Sequence, residues 1–234
     1  MKIWNKILDI LYPPTCCFCG KVSRDPICGI CEKEVVYIEE PRCKRCGKPI
    51  RSEEAEFCYD CGEHTVHYEQ GLSVWVHKGP VKWSVYQFKY HNRRVYGEFY
   101  VSEWYRLYKR QLDEWGVELI IPIPLHKRKK RKRGYNQAEI LAKHLSRLSG
   151  IPVVADAVVR VQNTRPQKEL SHKQRKQNLR QAFCVKRDWE PVNSVLLVDD
   201  IYTTGNTIDA VAKILKEKGV GKVWFFTISI GQGF

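Results

Sequence analysis

Four C-x-x-C pairs crowd the first 61 positions of the chain: Cys16/Cys19, Cys28/Cys31, Cys43/Cys46 and Cys58/Cys61. No other feature limits the fold so tightly. Two thiolates three residues apart grip one side of a tetrahedral ion and need a second pair to close it. Four pairs therefore predict two four-sulfur sites, filled by zinc rather than bridged as disulfides. Of the ten cysteines, only Cys17 and Cys184 stand outside this pattern. Gly20, Gly47 and Gly62 each follow a pair directly and are expected to close its knuckle. Joining neighbouring pairs, Cys16/Cys19 with Cys28/Cys31 and Cys43/Cys46 with Cys58/Cys61, closes the shorter loops and loses less chain entropy. An interleaved pairing is the alternative. All-sulfur sites leave no position for water, so this metal is expected to be structural.

Past Cys61 the composition changes, which predicts a metal-binding part over residues 1–65 and a larger part over 66–234. The opening "KIWNKILDILYPP" places Ile3, Ile7, Leu8 and Leu11 on one face of a short helix stopped by Pro13 and Pro14. That face is expected to pack on the rest of the protein, with a membrane-surface or partner helix as the alternative. No apolar run approaches the roughly 20 residues of a membrane helix, and no signal-peptide pattern opens the chain. The expected location is the cytoplasm, with the inner face of the membrane as a further station.

From "GLSVWVH" onward, strands and helices alternate. "VKWSVYQFKY" reads as a helix with Val81, Val85 and Phe88 at helical spacing, and "RVYGEFYVSEWYRLYKRQL" as a second, aromatic helix; these aromatics are expected to form core, with base stacking as the other use of such rings. "VELIIPIP" reads as a strand, followed by a basic loop and then by "NQAEILAKHLSRLSG", a helix with Ile140, Leu141, Leu145 and Leu148 on one face. After short "IPVV" and "AVVRV" segments come the strand "SVLLVD", the helix "TIDAVAKILKEKG" and the strand "KVWFFTISI". This order predicts an α/β fold, a parallel sheet covered on both faces with ligands at the carboxyl ends of the strands.

Charge is unevenly spread. The net charge is +14, and eighteen Lys or Arg face three acids between His126 and Arg187. The excess falls in two segments, "HKRKKRKRGYNQ" and "RVQNTRPQKELSHKQRKQNLRQAF", both following strands. Against this background "VLLVDDIYTTGNT" sets Asp199 and Asp200 side by side at the end of an apolar strand. Carboxylates there can accept hydrogen bonds from hydroxyls or approach hydrated Mg²⁺. The turn Thr203, Thr204, Gly205, Asn206 and Thr207 then opens a helix, where amides and hydroxyls cradle an anion. A ligand carrying a diol and a phosphate fits such a site, as ribose 5-phosphate does.

The same thirteen residues resemble the 5-phosphoribosyl-1-pyrophosphate (PRPP) motif of type I phosphoribosyltransferases. "IPIPLHKRKKRKRGYNQAEILAKHL", "RVQNTRPQKELSHKQRKQNLRQAF" and "FKYHNRR" narrow the likeness to the ComF family, with Tyr135 where Phe is usual. An N-terminal double zinc ribbon before the phosphoribosyltransferase domain is also that family's arrangement. The resemblance implies that Asp199 and Asp200 contact ribose during catalysis and that Thr203 to Thr207 hold the 5-phosphate. It makes Arg133, Gly134, Tyr135, Asn136 and Gln137 the pyrophosphate loop, and Thr164, Gln167, Lys168 and Arg175 contacts of a flexible hood. It implies Mg²⁺ with PRPP, and a role in natural competence, the uptake of single-stranded DNA. Other competence proteins, a helicase-type partner among them, follow from the same likeness. No general base is evident, although His172 lies in the hood. Seven consecutive cations, Lys127 to Arg133, exceed what one pyrophosphate requires and point to a polyanion such as single-stranded DNA. Nucleotide salvage is the alternative function, for which no base-recognition loop is evident.

Overall fold

In the computed structural model of the chain, which describes residues 13–161 and 182–231, four of the apolar runs become the strands of one parallel sheet. Two short helices, α1 (Gly29–Glu34) and α2 (Tyr59–Glu63), precede β1 (Gly71–Val76), α3 (Gly79–Tyr90), α4 (Tyr96–Trp115) and β2 (Leu119–Pro122). Then come α5 (Lys127–Arg133), α6 (Gln137–Ser149), β3 (Val158–Arg160), β4 (Phe183–Val185), β5 (Ser194–Tyr202), α7 (Asn206–Lys218) and β6 (Lys222–Ile230). The four-stranded sheet has the order β1-β6-β5-β2 with every pair parallel, and β3 and β4 form a small antiparallel ribbon. The strand readings from "GLSVWVH", "VELIIPIP", "SVLLVD" and "KVWFFTISI" all hold.

Alternation along β5 divides the core between two faces, as it must when successive side chains point to opposite sides. Leu196 and Val198 join α3, α4 and α6 through Phe88, Tyr100, Trp104, Leu141 and Leu145. Val195 and Leu197 join α7 through Ile208, Val211, Ala212 and Leu215. Leu148, read on the same face of α6 as Leu141 and Leu145, lies in the last turn of that helix and is exposed. The aromatic stripe of α4 is core as expected, with Tyr96, Tyr100, Trp104 and Tyr108 buried. On α3 the expected stripe of Val81, Val85 and Phe88 is buried, while Trp83, Tyr86 and Tyr90 are exposed.

The two cysteine clusters flank the sheet on opposite faces. Cys16, Cys17, Phe18 and Cys31 enter the core under α3 and α4, with the Phe18 ring edge-on to Trp75 at 5.2 Å. Ser84 of α3 donates to the carbonyl of Cys17. Cys43, Cys46, Cys58 and Cys61 enter the opposite core beside Tyr68 and Tyr202. The chain between the clusters runs antiparallel along β1, where Val76 N donates to Val36 O at 2.9 Å and Ile38 N to Val74 O at 3.0 Å. A bare outer strand invites pairing with other chains, and this segment covers it. At the other edge Ile120 pairs with Val153.

Two local expectations are corrected. The segment after β2 is not a loop: Lys127–Arg133 is helical, with Arg128 N capped by His126 Nδ1 at 3.2 Å and Gly134 ending it at φ 83°. Lys and Arg are good helix formers, but a run with no apolar residue carries no periodicity to reveal it. Gly20 and Gly47 do close knuckles, each at φ 73°. Gly62 lies inside α2 instead, because the second pair of each site is presented by the start of a short helix.

Candidate functional site

β5 rises through the core on Val195–Val198 and delivers its two acids at the carboxyl edge of the sheet. Asp200 is buried and its Oδ1 lies 2.8 Å from Lys89 Nζ, which α3 brings in from across the sheet. Asp199 is half-buried, and its Oδ1 accepts from Asp200 N at 2.8 Å. Burial first, and then the neighbouring Asp200 charge, push the Asp199 carboxyl up to about 7, against the pull of Lys89 and Arg160. It therefore changes charge in the neutral range, where a ligand's cation or hydroxyls can tip the balance. His77, at the end of β1, bonds Ser229 Oγ at 2.9 Å. Its ring is held below the usual histidine range, by burial first and then by Lys89.

The turn after β5 is built on a buried aromatic. Tyr202 stacks on Phe225 at 5.0 Å and its hydroxyl meets that of Tyr68 at 2.7 Å. Gly205 passes directly over this ring at φ 73°, and a Cβ there would sit 2.3 Å from the Tyr202 hydroxyl oxygen. Only glycine fits both the dihedral and the space. Thr203 and Thr204 are exposed on the turn, while Asn206 and Thr207 are half-buried at the start of α7. No side chain caps this helix, and the Asn206 Nδ2 is buried with no hydrogen-bond partner among the described residues. A buried amide left unsatisfied costs about 1–3 kcal/mol, which a hydrogen-bond acceptor placed there would offset.

The predicted pyrophosphate residues fall into two groups. Tyr135, Asn136 and Gln137 are buried and anchor the segment: Tyr135 donates to Phe88 O, Asn136 Nδ2 to Ile123 O at 2.9 Å, and Gln137 Nε2 to Lys89 O at 3.3 Å. Arg133 lies over the Tyr90 ring at 4.8 Å and also donates to Gln137, while Gly134 is exposed. Lys127 to Lys132 of α5 are exposed, and of these Lys130 pairs with Glu139 at 2.7 Å. Lys129 is held below its ordinary value by desolvation and then by the positive charges of Arg160, Arg133 and Lys89. Those groups thus share one field beside the acids. Thr164, Gln167, Lys168, Arg175 and His172 lie outside the described residues.

Lys89 and Arg160 were not singled out from sequence. Lys89 sat within "FKYHNRR" and Arg160 opened "RVQNTRPQKELSHKQRKQNLRQAF", both without an individual role. Their meeting with acids some 40 to 110 positions away is a product of the fold.

The thiolates form two clusters, Cys16, Cys19, Cys28 and Cys31, and Cys43, Cys46, Cys58 and Cys61, with each cluster's sulfurs within 4.8 Å of one another. The sequential pairing is the one adopted. A Zn–S bond of about 2.3 Å implies tetrahedral edges of about 3.8 Å. The spacings of 3.8 Å between Cys19 and Cys28 and 3.7 Å between Cys46 and Cys58 match. In the first cluster, the amides of Phe18 and Cys28 point at the Cys16 sulfur, both at 3.4 Å, the second-layer support that thiolate ligands receive. The clusters fit two structural zinc sites. Cys17 takes no part, and burial is the first cause pushing its thiol up to about 12.

Two family models match the chain. A double zinc ribbon domain matches residues 7–62, and a phosphoribosyl transferase domain matches residues 131–229. Competence protein F of Haemophilus influenzae is 32% identical over 209 residues, covering 86% of this chain and 89% of that protein. DNA utilization protein YhgH of Escherichia coli is 28% identical over 206 residues, covering 84% and 87%. Competence protein ComFC of Bacillus subtilis is 27% identical over 202 residues, covering 83% and 80%. No helix among the described residues is long and apolar enough to cross a membrane.

Proposed function

The chain belongs to the ComF family of competence proteins, and on that premise we propose that it binds PRPP with Mg²⁺ at the end of β5 and handles single-stranded DNA during bacterial DNA uptake. The observation that carries the reading is the pairing, within one turn, of Asp199 and Asp200 with the unsatisfied Asn206 amide. Ionised, the two acids accept hydrogen bonds from the ribose hydroxyls. Asn206, Thr203, Thr204, Thr207 and the first amides of α7 receive the 5-phosphate.

The pyrophosphate is met by α5, by Lys89 and Arg160, and by the hood residues Thr164, Gln167, Lys168 and Arg175. Lys89 exchanges its bond to Asp200 for one to the incoming anion. Bound Mg²⁺ supplies charge neutralisation on the pyrophosphate. As pyrophosphate departs and positive charge grows on the ribose, the Asp199–Asp200 pair lies beside that charge and stabilises it. The same pocket serves as a ligand sensor where no sugar is transferred. DNA is drawn by the seven cations of α5. The protein acts in the cytoplasm, with other competence proteins, a helicase-type partner among them, docked on the zinc ribbons.

Isothermal titration with PRPP and Mg²⁺ tests the site. Binding by the wild type, and its loss in Asp199→Ala and Asp200→Ala, is the expected result; no binding by the wild type overturns the reading. Pyrophosphate release measured with DNA and with a panel of free bases separates transfer on DNA from ordinary nucleotide salvage.

A further inference from the structure

An exposed aromatic stripe on α3 has no place in the roles given so far. Trp83, Tyr86 and Tyr90 fall at i, i+3 and i+7, one face of the helix, and are 38%, 52% and 58% exposed. The opposite face is occupied by Val81, Val85 and Phe88, which bury it in the core. Three large rings left in water along one helix are unusual on a surface that only has to stay soluble. Tyr86 lies 5.0 Å from the Tyr90 ring and 5.3 Å from the His91 ring, and Arg133 sits over Tyr90.

Beneath the rings is an open cavity of about 460 Å³ that reaches His77, Lys89 and Ile201. Ile201 directly follows Asp200, so the stripe runs to the margin of the carboxylate pair. The chain from Gly79 to Arg94 contains Lys82, Lys89, Arg93 and Arg94 and no acid. Flat rings on a helix that carries cations and no acid match a partner that is flat and anionic at once.

We infer that Trp83, Tyr86 and Tyr90 form a ledge on which bases of single-stranded DNA stack, its phosphates being held by Lys82 and the cations of α5. The inference rests on the DNA-handling reading above and assigns that activity a surface. A rise of about 1.5 Å per residue puts Trp83 about 10 Å from Tyr90, room for about three stacked bases rather than one. Stacking on rings accepts any base, since every base has an aromatic face. The ledge leads the strand toward the Asp199–Asp200 site. The first zinc knuckle supports it from below, because Gly20 packs under the Trp83 indole: a Cβ on Gly20 would lie 3.0 Å from that ring.

The test uses the full-length zinc-loaded protein and fluorescence anisotropy with two probes of equal charge, oligo(dT) of 20 nucleotides and an abasic 20-mer. Tyr86→Ala/Tyr90→Ala is expected to weaken oligo(dT) binding about 10- to 100-fold and to erase the preference over the abasic strand. Its salt dependence should be unchanged, because no phosphate contact is removed. Tyr86→Phe/Tyr90→Phe should bind as the wild type does. Both pairs are exposed, so thermal melting should confirm an intact fold. Wild-type binding with the alanine variant within twofold at all salt concentrations overturns the ledge while leaving the DNA reading intact. No binding of either probe by the wild type at low salt overturns both.

Discussion

In the proposed site the carboxyl of Asp199 is subject to opposed demands: it would have to be ionised to accept hydrogen bonds from the ribose hydroxyls, yet burial and Asp200 hold it up to about 7. Its value in the unfolded chain is about 3.9, so the folded state binds the proton more tightly. The sign follows from linkage: the group favours the folded state at low pH, and that contribution is lost as pH rises through about 7. Asp199→Asn is therefore expected to stabilise the unliganded protein, by about 1 kcal/mol more at pH 8 than at pH 5.5 after allowance for partial exposure. Urea unfolding at both pH values checks this, and an equal gain at the two would contradict it. PRPP affinity should fall about three- to tenfold between pH 8 and pH 6, and titration of Asp199→Asn should show weaker, flatter binding. Gly205→Ala should cost about 1–3 kcal/mol, because the new methyl meets Tyr202 in a left-handed turn; thermal melting reads the loss. The acids and Gly205 were legible in the sequence because their chemistry is local. Lys89 and Arg160 were not, since nothing near them in the chain says which acids they will face.

Each zinc site underpins a different element. The first lies under α3 through Gly20 and Ser84, and the second lies beside β5 and the start of α7 through the Tyr68–Tyr202 contact. Removing them one at a time should then have different consequences. Cys16→Ser is expected to weaken oligo(dT) binding more than PRPP binding, and Cys58→Ser the reverse. Metal analysis should fall from two zinc ions per chain to one in each variant, and identical effects on both ligands would rule the division out. The helix α5 makes a separate contribution. Replacing Lys127, Lys129 and Lys130 by Gln should flatten the salt slope of DNA binding, the complement of what the tyrosine substitutions do. The helical state of this segment was hidden because seven cations have no apolar period. The rings of α3 lie opposite Val81, Val85 and Phe88 on the helix, but whether another element covers that outer face is decided by tertiary packing and leaves no mark in the local sequence.

At the scale of the molecule, the cysteine-rich part acts as a clasp. Its two clusters join opposite cores, and the segment between them covers the outer edge of β1. We therefore propose the boundary near residue 65 as a change of chemistry rather than a joint between independent folding units. Residues 66–234 alone would bare that edge and the two apolar surfaces under the knuckles, and are expected to aggregate or melt without cooperativity. A cooperative melt near that of the full chain would refute this.

The sequence by itself determined the metal centres, the parallel sheet, the acid-bearing turn and the family, because each depends on spacing within a short stretch: sulfur every third position, strands of uninterrupted apolar residues, two acids before a glycine turn. Tertiary structure alone decided that Lys89 pairs with Asp200, that Tyr135, Asn136 and Gln137 anchor rather than protrude, and that one aromatic helix face is buried while another is open to water. Those outcomes depend on which surfaces meet across the sheet, and contacts between residues far apart in the chain leave no local pattern to read.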